Sequence, residues 1–362
     1  MPLGIPHMRI LIAGGGTGGH LYPGIAVAEE FSRQGPDSEV LFVGTKQGIE
    51  ARILPGEGYR LETIPAGGIV NKDILSKMVS ATKMIGGFIR SFSILRRFNP
   101  DVVIGVGGYA SAPMLSAAAI LRVPTVILEQ NLFPGAANRL LSRIADRVVV
   151  AFEGSKKFFK REVEALGNPV RRGIMGHQYL PKDILVVFIF GGSQGSHTIN
   201  KAVVEALEFL REESGGIHFI HQTGDSDYAW VKGSYEKAGF AAEVMPYVHR
   251  IEEVYHKAAL VISRAGATTI AEITACGMPA ILIPYPSAAH DHQRINAEYL
   301  ESMGTAEVIL EQHLSGKKIA EKIKYFLYNI KRLKEMSEKS AGLYQKTAAQ
   351  DIVKLCRGLT AC

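Results

Sequence analysis

Two glycine turns carry the residues of this chain that could do chemistry. Gly14-Gly15-Gly16-Thr17-Gly18-Gly19-His20 closes a short apolar run, Ile10 to Ala13, and leads into a helical pattern from about Leu21. Gly191-Gly192-Ser193-Gln194-Gly195-Ser196 closes a second apolar run, which begins at Ile184, and leads into another helix. A strand, a glycine turn and a helix together leave backbone N–H groups at a helix N-terminus, where an anion can sit. Glycines allow the tight turn and the close approach of a ligand. The first turn suits a dinucleotide, a nucleotide sugar or a phosphorylated acceptor. His20 adds an imidazole, a side chain fitted to general acid–base work. The second turn adds the Ser193 and Ser196 hydroxyls and fits a diphosphate without a lysine, or is a tight connection and nothing more.

Gly14, Gly16 and Gly19 spell G-x-G-x-x-G, so dinucleotide binding has to be weighed. That fingerprint also wants an acid at the end of the second strand to hold ribose hydroxyls. Here the strand ends Val43-Gly44-Thr45, which disfavours a dehydrogenase. SRAGATTIAEI (263–273) opens a helix with small residues after a strand. Glu272, two turns in, can accept both hydroxyls of a ribose, or is an ordinary surface glutamate. The polar loop 284–297 gathers His290, Asp291, His292, Gln293 and Asn296. No second cluster pairs with it as metal ligands, and hydrogen bonding to sugar hydroxyls suits its Asp and Gln better. Asp225-Ser226-Asp227 spells the D-x-D of metal–diphosphate sites but reads here as a capped helix start.

The elements that must position these residues follow from short apolar runs alternating with helical patterns. Runs at 39–45, 59–66, 101–108, 124–131 and 146–152 follow the first turn. Runs at 217–224, 242–248, 259–264, 279–285 and 305–310 follow the second. Alternation of this kind argues for an α/β chain of two doubly wound parallel sheets, with a linker near 166–182. Two such sheets facing each other would form a cleft with two ligand sites. A length of 362 residues agrees with two domains. Residues 1–165 carry 19 Lys and Arg against 14 Asp and Glu, and the remainder 22 against 21. This basic excess suits an acidic ligand or an anionic membrane surface and is too weak to argue for nucleic acid. Cys276, Cys356 and Cys362 have neither disulfide nor metal spacing, as in a reducing compartment. The opening MPLGIPHMRI lacks the regions of a secretory leader, and no run reaches the length of a spanning helix, so a cytoplasmic chain is expected.

One stretch breaks the alternation. Residues 72–98 carry six Lys or Arg and one acid. Wound at about 100° per residue, Ile74, Met78, Ile85, Phe88, Ile89 and Phe92 share a face, with Lys72, Lys83, Arg90 and Arg97 opposite. That is the composition of a helix lying in a membrane interface, or of a core-facing helix with a solvated basic side. Gly86-Gly87 could interrupt it.

The segments GGGTGGHLYPG, GGYASAP (107–113), LEQN (128–131), GNPVR (167–171), GGSQGS, RAGATTIAE and DHQRINA, in this order and spacing, resemble the bacterial MurG family of N-acetylglucosaminyltransferases. The resemblance runs from Arg9 to about Leu310. It implies a GT-B fold: a first Rossmann-like domain at 1–166, a second at 167–345, and a last helix at about 346–362 returning to the first. It implies inverting transfer of GlcNAc from UDP-GlcNAc to the C4 hydroxyl of MurNAc in undecaprenyl-diphosphate-MurNAc-pentapeptide (lipid I). The products would be lipid II and UDP. No metal or other cofactor would be needed, and the enzyme would sit peripherally at the cytoplasmic face of the membrane.

Carried over motif by motif, the donor would be held by Ser193, Arg171, Gln293, Asn296 and the stretch Ala267, Thr268, Thr269, Ile270, Ala271 and Glu272, with Glu272 on the ribose. Val248 would lie along the uracil through its backbone. Thr17, Gly18, Gly19 and Asn131 would reach the donor sugar from the first domain. Gly14, Gly15, Gly16, Gly107, Gly108 and Tyr109 would face the acceptor diphosphate. His20 is the candidate base; its alternative is a histidine that only orients the loop or binds phosphate. Rivals are another UDP-sugar enzyme on the same fold (a glycolipid synthase or UDP-GlcNAc 2-epimerase) and a non-catalytic nucleotide-sugar-binding protein at the membrane.

Overall fold

A computed structural model describes residues 7–67, 74–176, 183–288 and 291–360, with the backbone alone for 74–81. The chain divides into two units, Met1–Arg171 with Gln345–Cys362, and Arg172–Tyr344. The first contains β1 (Arg9–Gly14), α1 (Gly18–Gln34), β2 (Glu39–Gly44), α2 (Glu50–Ile53), β3 (Arg60–Thr63) and α3 (Ile74–Phe98). It continues with β4 (Val102–Gly107), α4 (Ser111–Ile120), β5 (Thr125–Glu129), α5 (Ala136–Leu141), β6 (Arg147–Val150) and β7 (Glu164–Ala165). The second contains β8 (Leu185–Phe190), α6 (His197–Phe209), β9 (Ile217–Gln222), α7 (Tyr228–Ala238), β10 (Ala241–Met245), α8 (Ile251–Lys257) and β11 (Leu260–Ser263). There follow α9 (Ala267–Ala275), β12 (Ala280–Leu282), α10 (His292–Ser302), β13 (Ala306–Val308), α11 (Gly316–Tyr328) and α12 (Ile330–Leu343). The last helix, α13 (Ala348–Thr360), belongs to the first unit.

Both sheets are parallel throughout, ordered β3-β2-β1-β4-β5-β6-β7 and β10-β9-β8-β11-β12-β13. The strand order therefore reverses between β1 and β4 in one unit and between β8 and β11 in the other. Ligands bind doubly wound sheets beyond the carboxyl ends of the strands at such a reversal. Both glycine turns stand there, after β1 and β8.

The β1 strand is apolar without interruption because both of its faces are covered. Leu11 and Ala13 pack with Ile94, Leu95 and Phe98 of α3 and Met114 and Leu115 of α4. Ile10 and Ile12 pack with Leu21, Ile25 and Phe31 of α1 and Ile352, Val353 and Cys356 of α13. In the second unit Val187 and Ile189 join Ile199 and Val203 of α6, Val231 and Tyr235 of α7, and Ile319, Ile323 and Phe326 of α11.

Three details depart from the sequence reading. The first helix starts at Gly18 rather than about Leu21, because Thr17 takes the extended N-cap conformation (φ −134°, ψ 160°). The α3 helix runs unbroken through Gly86-Gly87; a side chain at Gly87 would collide with the Pro65 carbonyl, so the glycine serves a close approach. The two-residue β7 has no sequence signal. Of the linker expected at 166–182, residues 177–182 lie outside the described residues.

Candidate active site

The first glycine turn is built on backbone interlocking. Gly14, Gly15 and Gly16 have φ of 147°, 132° and 86°, and Gly107 and Gly108 at the end of β4 have 95° and 80°. A Cβ at Gly14 would strike the Gly107 carbonyl, and one at Gly108 the Gly15 carbonyl. The Gly15 N–H donates to Gly107 O at 3.2 Å. Ser111 at the start of α4 closes the junction, accepting from Gly107 N and donating to Ala13 O at 2.7 Å.

Beneath this turn lies Glu50, only 1% exposed. Its carboxylate accepts from Gly16 N (2.7 Å), Thr45 N (2.7 Å) and the Thr45 hydroxyl (3.0 Å). This corrects one expectation. The Gly15 and Gly16 amides, assigned to an acceptor diphosphate, are occupied by Gly107 and Glu50, and Gly14 is paired within the β1–β4 ladder. At the start of α1, Thr17 is exposed and Gly18 and Gly19 are half-buried. Tyr109 projects into solvent beside Gly108.

His20 sits in the first turn of α1, half-buried, with Nδ1 3.3 Å from Gln130 Oε1. Asn131, next along, is tethered to Glu129. Its backbone N–H and Nδ2 reach Glu129 Oε1 at 2.9 and 3.2 Å, and the other oxygen accepts from Gly135 N and Asn138 Nδ2 at 2.9 Å each. Arg171 lies with its guanidinium 4.5 Å from the Tyr22 ring centroid and 4.0 Å from Glu57, within the first unit.

In the second unit the β8 turn is packed as tightly. A side chain at Gly195 would strike the Thr223 carbonyl, and one at Gly224 the Gln194 carbonyl. Buried Gln222 ties two site segments together, donating to Gly192 O and accepting from Val248 N, both at 2.8 Å. The Val248 N–H is thus occupied by Gln222. Arg264, in the turn before α9, donates to Ser196 Oγ at 2.8 Å and to the Ile283 and Pro284 carbonyls, and pairs with Glu311 at 2.5 Å. Ser193 is half-buried in front of α6.

Glu272 is 6% exposed, which removes the surface-glutamate alternative. The Tyr255 hydroxyl donates to its Oε2 at 3.2 Å. Along the same helix Ala267, Thr268, Ile270 and Ala271 are buried and Thr269 is half-buried. Asn296 departs from the expectation of a sugar contact, whereas Gln293 is half-buried and engages the backbone through its amide oxygen. Gln293 Oε1 accepts from Ala265 N (3.2 Å) and Tyr285 N (3.0 Å), and fully buried Asn296 donates to Ala265 O (3.3 Å). Together they clamp the backbone that leads into α9, and Asn296 has no surface to offer a sugar.

Asp227 holds the N-cap position of α7 without capping it. Its carboxylate instead accepts from His197, Asn200 and Trp230. Burial alone would raise its pKa, but those hydrogen bonds outweigh burial and hold it below the usual value. His290 lies outside the described residues. Among the described residues no three His, Cys, Asp or Glu side chains gather as a metal site.

Five positioning residues escaped the sequence reading. Gln130 and Arg264 stand inside motifs already singled out. Glu50, Gln222 and Tyr255 belong to no motif, and only the fold brings them to the site.

Residues 10–150 match the glycosyltransferase family 28 N-terminal domain and residues 186–355 match the family's C-terminal domain. The chain belongs to glycosyltransferase family 28. Among its relatives is a Geobacter sulfurreducens protein named as UDP-N-acetylglucosamine–N-acetylmuramyl-(pentapeptide) pyrophosphoryl-undecaprenol N-acetylglucosamine transferase. It is 47% identical over 96% of this chain and 97% of its own length. A Myxococcus xanthus protein of the same name is 43% identical over 96% and 92%. The crystal structure of Acinetobacter baumannii MurG matches with a TM-score of 0.76 at 28% identity, covering 98% of this chain and all of that one. The family's GT-B architecture of two Rossmann-like domains is the one seen here. A Listeria monocytogenes protein described as a putative UDP-N-acetylglucosamine 2-epimerase matches with a TM-score of 0.66 at 12% identity, which speaks for the fold alone.

Proposed function

We propose that this chain is the family's N-acetylglucosaminyltransferase of peptidoglycan synthesis. It moves GlcNAc from UDP-GlcNAc to the C4 hydroxyl of MurNAc in lipid I and releases lipid II and UDP. The observation that carries this is the match at 43–47% identity across both units to relatives bearing that name.

The residues divide by unit. In the second, the α6 N-terminus with Ser193 takes the donor diphosphate, Glu272 accepts from the ribose hydroxyls, and the Val248 carbonyl meets the base. In the first, Thr17, Gly18, Gly19 and Asn131 meet the sugar, and Gly108 and Tyr109 face the acceptor diphosphate. Inversion at C1 is a single displacement. The C4 oxygen forms its bond to C1 from the face opposite UDP, the C1–O bond to UDP breaks, and His20 takes the C4 hydroxyl proton. The departing diphosphate is stabilised by the N–H groups that open α6.

The enzyme works at the cytoplasmic face of the membrane, docked through α3. In support, Ile85 and Ile89 are 61% and 65% exposed, with Lys83, Arg90 and Arg96 exposed on the same helix. A groove of about 600 Å³ runs beside them, lined by Phe88, Ile89, Phe92, Ser93, Arg96 and Arg97. Ile74 and Met78, expected on this face, lie outside the residues whose side chains are described.

Incubation with labelled UDP-GlcNAc and a lipid I analogue should give a β-1,4-linked disaccharide product and stoichiometric UDP. His20→Ala should cut turnover by at least about 100-fold while leaving UDP-GlcNAc affinity near normal, because base catalysis is worth about 10²–10⁴-fold. Donor binding with no transferred sugar would overturn the transferase reading. Full turnover in His20→Ala would remove His20 from the proton transfer.

A further inference from the structure

We propose that Gln130 is a positioning residue that sets the tautomer of His20, holding the proton on Nδ1 and the lone pair on Nε2. The inference rests on the reading of His20 as the base.

Gln130 is 2% exposed at the carboxyl end of β5. Its Nε2 donates to Val106 O at 3.1 Å and to Leu128 O at 3.2 Å. Carbonyl oxygens only accept, so the amide has one workable orientation; turned over, its oxygen would face two other oxygens without a hydrogen between them. With the nitrogen so engaged, Oε1 is left to face His20 Nδ1 at 3.3 Å. An amide oxygen can only accept, so the contact is a hydrogen bond only when Nδ1 carries the proton. In neutral imidazole the other nitrogen then holds the lone pair. The hydrogen bond made by one ring nitrogen thus decides the state of the other.

The ring also has little freedom to leave this arrangement. A Cβ at Gly107 would lie 2.6 Å from His20 Nδ1 and 2.8 Å from Cε1, so the imidazole occupies the space a side chain there would need. The carboxylates nearby are turned to other partners: Glu129 to Asn131, Gly135 and Asn138, and Glu50 to Gly16 and Thr45. A neutral amide therefore does the work that a carboxylate does in a Ser-His-Asp triad. It orients the ring and selects the tautomer without placing a full negative charge against the imidazolium.

Tautomer is observable directly. In ¹⁵N-histidine-labelled full-length protein at alkaline pH, long-range proton–nitrogen correlation should give His20 a protonated Nδ1 and a bare Nε2. The resonance is picked out from the eleven histidines by its loss in His20→Gln. Finding Nε2 protonated in the wild type would overturn the proposal without recourse to any variant. Gln130→Met removes the acceptor at similar volume; it should let the two tautomers mix and lower kcat about tenfold, with donor affinity unchanged. Gln130→Glu restores an acceptor opposite Nδ1 and should return the Nδ1–H pattern. A Gln130→Met enzyme with an unmixed tautomer and full kcat, in a protein that His20→Ala inactivates, would sink the positioning role alone. Full turnover in His20→Ala would instead sink the base reading on which it rests.

Discussion

At the scale of single residues, the glycines of the first turn have a reason that a ligand-centred reading does not supply. Gly15 lies in the first turn and Gly44 and Gly48 in the connection from β2 to α2, and a Cβ at any of them would run into the Glu50 carboxylate. A buried acid with three hydrogen bonds thus accounts for Gly15, which stands between the fingerprint positions Gly14 and Gly16. Pattern reading found the glycines and missed the acid, because Glu50 is remote from the turn in sequence and has no motif of its own. The same holds for Tyr255, which reaches Glu272 across 17 residues of sequence. Glu272 itself was legible because the small residues before it mark a helix start after a strand. Its burial makes the test sharp. Glu272→Gln keeps the volume and removes the charge, so ribose hydroxyls lose a charge-assisted acceptor worth about 1.5–3 kcal/mol. Calorimetry should show UDP-GlcNAc bound about ten- to a hundredfold more weakly; unchanged affinity would take Glu272 off the ribose.

At the scale of elements, α3 shows how a helical projection can locate a stripe yet leave its neighbour open. The periodicity correctly groups Ile85, Phe88, Ile89 and Phe92 on one side. It does not say which side meets the sheet. The core-facing residues are Gly87, Ser91, Ile94, Leu95 and Phe98, a row diluted by a glycine and a serine. Ser91 hides its hydroxyl by donating to the Gly87 carbonyl at 2.8 Å, one turn earlier. The apolar stripe is consequently free of the core at Ile85 and Ile89, while Phe88 and Phe92 lie half-buried against it. A clean membrane test therefore changes Ile85 and Ile89 to Ser and leaves the two phenylalanines alone. Cosedimentation with phosphatidylglycerol vesicles should fall at least about tenfold in partition coefficient, since each isoleucine is worth about 1.5–3 kcal/mol when fully buried. Thermal unfolding should not change. Equal sedimentation of the double variant would argue that α3 stays in water.

At the scale of the whole molecule, the two doubly wound parallel sheets were accessible because each unit opens with a strand, a glycine turn and a helix and continues with alternating apolar runs and helical patterns. The buried polar network of the second unit was not accessible, since its members are scattered. His221 accepts or donates between Tyr235 and Asn200, and Asn200 passes the chain on to Asp227. Burial pushes His221 down to about 3 from 6.5, against a smaller upward pull from Asp227. Between those two values the unfolded chain binds a proton that the folded chain refuses, so stability falls as pH drops below about 6.5. One proton corresponds to about 1.4 kcal/mol per pH unit. Trp230 is the only tryptophan and bonds to Asp227, so its fluorescence follows this unit alone. Urea midpoints read from it should decline on acidification toward pH 5, and His221→Gln should flatten that decline; an equal slope in the variant would assign the protons elsewhere.

The division of the chain has a consequence for its birth on the ribosome. Residues 172–344 are contiguous, so the second unit has all its parts as soon as they emerge. The first unit does not. Ile352, Val353 and Cys356 of α13 complete the layer over Ile10 and Ile12, and they are translated after everything in the second unit. Until then an apolar face of β1 and its neighbours lacks part of its cover, through the synthesis of some 170 further residues. The half that is made first is finished last, and a nascent chain stalled before residue 345 would carry that open face to chaperones and proteases.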